Sequence, residues 1–139
     1  MSADEATPAD AVLELSRRAL ALVLADISRT TCWNPVVRLE PWMDGDVRIS
    51  VDGGFGTPPS VWQRTEPEVI AEIADYMQEM LDQNPSIWPV CGKHDVGLHA
   101  EVRERTAVWW CRLGRHVVSE IGRLNAADCA PQPPFGPLD

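Results

Sequence analysis

The sequence predicts an α+β chain: a helix–β-hairpin–helix unit followed by a small three-stranded antiparallel sheet. Three observations carry this expectation. Two stretches repeat apolar residues at i, i+3 and i+4, the spacing of a helix with one buried face. Between them, two strand-like segments flank an Asp44-Gly45 pair, a strong hairpin signal. Beyond the second helix, two Cys/His pairs, Cys91-x2-His94 and Cys111-x4-His116, bracket further strand-like segments.

Residues 1–7 are polar and read as a mobile lead-in. Thr7-Pro8-Ala9-Asp10 then starts a helix. Thr7 can cap it, Pro8 suits its first position and Asp10 suits the positive end of its dipole. Val12, Leu13, Ser16, Leu20, Val23, Leu24 and Ile27 follow at helical spacing, with Ser16 interrupting the apolar face. The predicted span is about 9–28, and Glu14, Arg17, Arg18 and Asp26 are assigned to the wet face.

Strands are expected at Val36–Trp42 and Asp46–Asp52. In the second, Val47, Ile49 and Val51 alternate with Arg48, Ser50 and Asp52, so one side is buried. Gly53–Pro59 reads as a loop; its glycines lack the Lys-Ser/Thr that a phosphate cradle requires. Thr65 and Glu68 form a capping box for the second helix, whose inner face is Val69, Ile70, Ile73, Ala74, Met77, Met80 and Leu81. Asn84-Pro85 ends it. Gly97–Arg103 and Thr106–Arg112 then pair around Glu104-Arg105, and His116–Ile121 adds a third strand. The tail, rich in Pro from Pro131 to Pro137, reads as extended and mobile. The expected organisation is a body at 1–85, a β-ribbon at 86–124 packed on it, and a tail at 125–139.

A chain of 139 residues with 45% apolar composition fits one globular domain. No apolar run is long enough to span a bilayer, and the acidic start lacks the positive region of a secretory signal. The expectation is a cytoplasmic chain with no membrane partner, whose cysteines stay reduced and free to bind metal. The net charge of −9 argues against general nucleic-acid binding. The charge is uneven: residues 1–85 carry 6 basic and 15 acidic side chains, residues 86–124 carry 6 and 4.

Thiolate and imidazole are the ligands Zn²⁺ prefers, and two close pairs separated by a hairpin-length insert are how small zinc sites are built. Cys91, His94, Cys111 and His116 are therefore the expected ligands of a structural Zn²⁺. His99 or a water is the rival to His116, and Fe or Ni fits the same donors. A sheet of under 40 residues buries too little apolar surface to hold itself. A bound zinc supplies roughly 10–16 kcal/mol, which becomes folding energy.

This arrangement over residues 88–121 resembles the zinc ribbon, in which ligand pairs in two turns clamp a three-stranded sheet. It differs in pairing each Cys with a His rather than a second Cys, and in the x4 spacing of the second pair. The elements Trp88-Pro89-x-Cys91-x-x-His94 and Trp109-x-Cys111 are also similar to ones in small proteins of high-GC bacteria. The predominance of Arg, with Lys93 the sole lysine, agrees with such a genome. Neither likeness implies an activity.

No catalytic residue is expected. The leading reading is a non-enzymatic, zinc-stabilised interaction or adaptor module with a protein partner. The sequence carries six tryptophans. Trp109 and Trp110 point to opposite faces of one strand, so one packs on the body while the other can meet a partner beside Arg112 and Arg115. The alternatives are a nucleic-acid-binding ribbon using Lys93, Arg103, Arg105, Arg112, Arg115 and Trp110, and a zinc hydrolase with an open position and Glu101 or Glu120 as base. The motifs of zinc deaminases are missing. Cys32 is expected to be a buried thiol, and Cys129 a tail thiol without a neighbouring base.

Overall fold

The computed structural model describes residues 8–42, 45–55, 64–81 and 87–128. The architecture is mixed α+β. Its elements are α1 (Pro8–Thr30), β1 (Val37–Pro41), β2 (Val47–Val51), β3 (Gly54–Phe55), α2 (Glu66–Leu81), β4 (His99–Arg103), β5 (Thr106–Cys111) and β6 (His116–Glu120), with a 3-10 turn at Ala126–Asp128. The strands form two antiparallel sheets, ordered β1-β2-β3 and β4-β5-β6. Among the described residues, no helix is long and apolar enough to cross a membrane.

Helix α1 follows its apolar repeat, and Ser16 does not break the buried face. Its hydroxyl donates to the Val12 carbonyl at 2.8 Å, which satisfies it inside the core. Asp26 departs from expectation. Assigned from its charge to the wet face, it is fully buried. The reason lies in the helical period: Asp26 falls three residues after Val23 and beside Ile27, on the stripe that also holds Ser16, Ala19 and Leu20. Cys32 is a second correction. It is exposed rather than buried. The chain leaves α1 with alternating exposure, Trp33 turns inward, and the Trp33 amide donates to Thr31 Oγ1 at 3.0 Å.

The hairpin pairs Val37 with Val51 and Leu39 with Ile49. Val47, Ile49 and Val51 face the core as their alternation predicts. The glycine-rich segment begins differently from a plain loop. Asp52 and Gly53 have φ of 50° and 79°, a tight two-residue turn that lets Gly54 pair with Val51. This Asp-Gly pair carries the same signal as Asp44-Gly45, but the neighbouring glycines conceal it. Met43 and Asp44, most of the Gly53–Pro59 loop, the Asn84-Pro85 stop, Cys129 and the Pro-rich tail lie outside the described residues.

Helix α2 opens with the predicted capping box: the Thr65 amide donates to Glu68 Oε1 at 3.0 Å and its hydroxyl to the same oxygen at 2.9 Å. These bonds, the backbone one foremost, hold the Glu68 carboxyl below its ordinary pKa. Met77 is buried core, as expected of a flexible gap-filler. The helix packs on α1 on one side and on β4 and β5 on the other. Two polar contacts fix its rotation. Tyr76 Oη donates to the Ile49 carbonyl at 2.8 Å. Gln78 Nε2 donates to the Trp88 and Leu98 carbonyls at 3.1 and 2.8 Å. Body and ribbon share one continuous core running from Val23 and Ile27 through Ile49, Ile73 and Met77 to Trp88, Trp109 and Leu124.

Between β4 and β5, Glu104 and Arg105 both take left-handed backbone, φ 49° and 66°. Side-chain-bearing residues adopt this at a cost of about 1–2 kcal/mol each. Replacing the pair with Asn-Gly keeps the turn and relieves that cost. The double substitution Glu104→Asn, Arg105→Gly is expected to stabilise the protein by about 1 kcal/mol, read as a higher urea midpoint at unchanged slope. A lower midpoint would contradict the turn geometry.

Candidate metal centre

The first Cys/His pair sits in a short closed turn. The Cys91 amide donates to the Val96 carbonyl at 2.8 Å, and the Asp95 amide to the Cys91 carbonyl at 2.9 Å. Val90 bridges Gly97, and the Leu98 amide donates to the Pro89 carbonyl at 2.7 Å. These bonds fold residues 91–94 back so that both side chains point to one spot. The second pair is built differently. Cys111 and His116 are register partners across β5 and β6. The x4 spacing is thus a four-residue hairpin connection, and directly opposed residues hold their Cβ atoms about 4.5–5.5 Å apart.

The two pairs meet. One ligand atom from each of Cys91, His94, Cys111 and His116 lies within 4.8 Å of the others. The contacts are Cys91 Sγ to His94 Nδ1 at 3.5 Å, Cys91 Sγ to His116 Nε2 at 3.6 Å and Cys111 Sγ to His94 Nδ1 at 3.4 Å. A tetrahedral ion with bonds of about 2.3 Å to sulfur and 2.0–2.1 Å to nitrogen sets its S···N edges at about 3.6 Å. The four residues are therefore placed closely enough to hold one metal ion. Both thiols are buried, and the two imidazoles are half-buried.

The surroundings fix this arrangement. The Gly114 amide donates to Cys111 Sγ at 3.3 Å, which orients the sulfur. A Cβ at Gly114 would run into His94 Cε1 and would stand 2.7 Å from both His116 Cδ2 and His94 Nδ1. The Gly92 amide donates to the Asp128 carbonyl at 3.2 Å, so the 3-10 turn covers the first ligand turn.

Each ligand pair is preceded by a buried tryptophan tied to the end of α1. Trp88 Nε1 donates to Thr30 Oγ1 at 2.9 Å, and Trp109 Nε1 to Asp26 Oδ2 at 2.8 Å. The two rings meet edge to face, centroids 5.2 Å apart. Asp26 also accepts from the amides of Gly122 at 2.7 Å and Leu124 at 3.0 Å. Arg29 Nη1 donates to Asp26 Oδ1 at 3.2 Å and to the Gly122 carbonyl at 2.9 Å. Gly122 has φ 106°, and a Cβ there would stand 2.6 Å from Leu22. Burial raises the Asp26 pKa; the Gly122, Trp109 and Leu124 hydrogen bonds and the Arg29 charge pull it back only in part.

His99, the rival ligand, lies on β4 opposite Trp110 and outside the cluster. Burial and then the Arg112 charge hold its pKa below the ordinary imidazole value. Of the residues expected to meet a partner, Trp109 is corrected: fully buried and bonded to Asp26, it offers no surface. Trp110 is half-buried, while Arg112 and Arg115 are exposed. Sequence reasoning did not find Asp26, Thr30 or Gly114. Asp26 was detectable from its place on the apolar stripe; the other two carry no pattern of their own.

No protein-family model matches the chain, and comparison with curated proteins and with solved structures finds no match. What the structure shows of residues 88–121 is a Cys/His cluster able to hold a metal ion beside a three-stranded antiparallel sheet.

Two outcomes follow from this geometry. Gly114→Ala is expected to weaken metal binding about 10–100-fold, measured by competition with a chromogenic chelator; unchanged affinity would contradict the packing around Gly114. Asp26→Asn turns an amide NH2 toward donors and is expected to cost about 2–4 kcal/mol. The folded Asp26 holds its proton more tightly than the unfolded chain does. The wild-type advantage over this variant should therefore be largest below the ordinary carboxylate range and shrink as pH rises through the raised pKa. Denaturant midpoints of both proteins across pH check the sign.

Proposed function

We propose that the chain is a small, non-enzymatic interaction module whose β-ribbon is held by a structural Zn²⁺ on Cys91, His94, Cys111 and His116. The single observation that carries this reading is the closed, mixed sulfur–imidazole cluster, with S···N separations of 3.4 to 3.6 Å. Two thiolates neutralise a divalent ion, and four protein donors complete its tetrahedral shell, which is the pattern of structural sites. The zinc-ribbon likeness supports the same assignment.

The carboxylates that a hydrolase would use are engaged elsewhere. Glu101 pairs with Arg103 at 2.9 Å and with Arg112 at 3.6 Å, and Glu120 pairs with Arg123 at 3.4 Å. An adaptor role is supported by the ribbon's outward surface, where Trp110 is half-buried and Leu113 and Val117 are 64% and 46% exposed.

Elemental analysis of untagged protein purified without chelator is expected to give one zinc per chain. Replacement by Co²⁺ should give the intense ligand-field bands of a tetrahedral ion with two thiolates, insensitive to added anions. Absence of metal would overturn the reading. Bands that shift when azide is added would mean an open coordination position and favour the hydrolase instead.

A further inference from the structure

Each ligand pair contributes one cysteine and one histidine, so the two cysteines stand on different turns. Cys91 belongs to the closed turn after Pro89, and Cys111 ends β5. Their sulfurs lie no more than 4.8 Å apart. Both also contact the same atom, His94 Nδ1, at 3.5 and 3.4 Å. Two cysteines in each turn would let oxidation join neighbours within one turn. One cysteine in each turn leaves only a bond between the turns.

A disulfide holds its sulfurs about 2.05 Å apart. The two thiols start within a few ångströms of that distance, in turns that already face each other. A Cys91–Cys111 bond would close the loop from residue 91 to residue 111, which carries β4 and β5. A metal ion on the same side chains closes the same loop. Both thiols are buried and both imidazoles half-buried, so the histidines form the solvent side of the cluster. An oxidant reaches sulfur once an imidazole moves aside. Cys32, exposed and outside the cluster, meets an oxidant directly.

We propose that the cluster is a redox-switched tie: a peroxide joins Cys91 to Cys111, the metal ion is released, and the disulfide replaces it as the link between the two ligand turns. One thiolate attacks a peroxide oxygen; an S–O bond forms, the O–O bond breaks and hydroxide leaves a sulfenic acid behind. The other thiolate attacks that sulfur; the S–S bond forms, the S–O bond breaks and a second hydroxide leaves. Two protons from solvent turn both hydroxides into water, and the two electrons lost by the thiolates reduce the peroxide. His94 and His116 remain, neutral donors that do not balance a divalent charge. The switch rests on the zinc assignment given above and supplies its regulation: the ribbon stays tied in both states, and only the reduced state holds metal.

The test treats full-length, reduced, zinc-loaded protein, its metal content measured beforehand, with hydrogen peroxide in the presence of a chromogenic zinc indicator. Complete loss of zinc is expected, in step with disulfide formation, and peptide mapping without reductant should link Cys91 to Cys111. The oxidised, metal-free chain should keep its helical circular dichroism and a higher urea midpoint than the reduced, metal-free chain. A dithiol together with zinc should restore the starting state. A reduced protein that takes up no zinc would overturn the zinc assignment and the switch with it. In zinc-loaded protein, retention of the metal at peroxide levels that fully oxidise Cys32 would overturn the switch alone. So would sulfinic acid, or links to Cys32 or Cys129, in place of the Cys91–Cys111 bond, and so would an oxidised chain no more stable than the reduced, metal-free one.

Discussion

Asp26 carries a carboxylate into the junction between the end of α1 and the β-ribbon. Trp109 Nε1, the Gly122 and Leu124 amides and Arg29 all donate to its two oxygens. Each of those donors, apart from Arg29, would otherwise be a buried polar group without water. Removing the acceptor leaves them unpaired together, which is why this position matters more than an ordinary surface charge. The carboxylate also sets geometry. It holds the segment from Gly122 to Leu124, just after β6, against the last turns of α1, and it fixes the Trp109 indole two residues before Cys111.

The Cys/His cluster sits one step outward from this junction. Trp109 is two residues from Cys111 on the same face of β5, and Trp88 is three residues before Cys91. Both indoles are anchored on consecutive turns of α1, at Asp26 and Thr30, and they pack on each other. The body thus positions both ligand turns from behind. A metal ion would close them from the front. On this account packing and ligands act together: the shared core orients the sheet, and a bound ion would tie its two turns.

Much of this was legible in the sequence. Helix and strand periods located the elements, because Val47, Ile49 and Val51 and the repeat from Val69 to Met77 leave little choice of face. The Cys/His cluster was legible because Cys and His at those spacings have few other uses. Asp26 was misread because residue type was allowed to outweigh the helical stripe on which it lies. Cys32 was misplaced for a simpler reason: one residue of alternation after a helix end decides whether Cys32 or Trp33 turns inward, and only packing makes that choice.

The central claim is that metal site and helical body fold as one unit through Asp26 and the two tryptophans. The most direct measurement is urea unfolding of the zinc-loaded chain, followed at once by helical circular dichroism and by zinc release to a colorimetric indicator. The account predicts coincident transitions, and loss of helical signal when a strong chelator removes the metal. Zinc release well before the helices melt, with the helical signal intact after chelation, would contradict it.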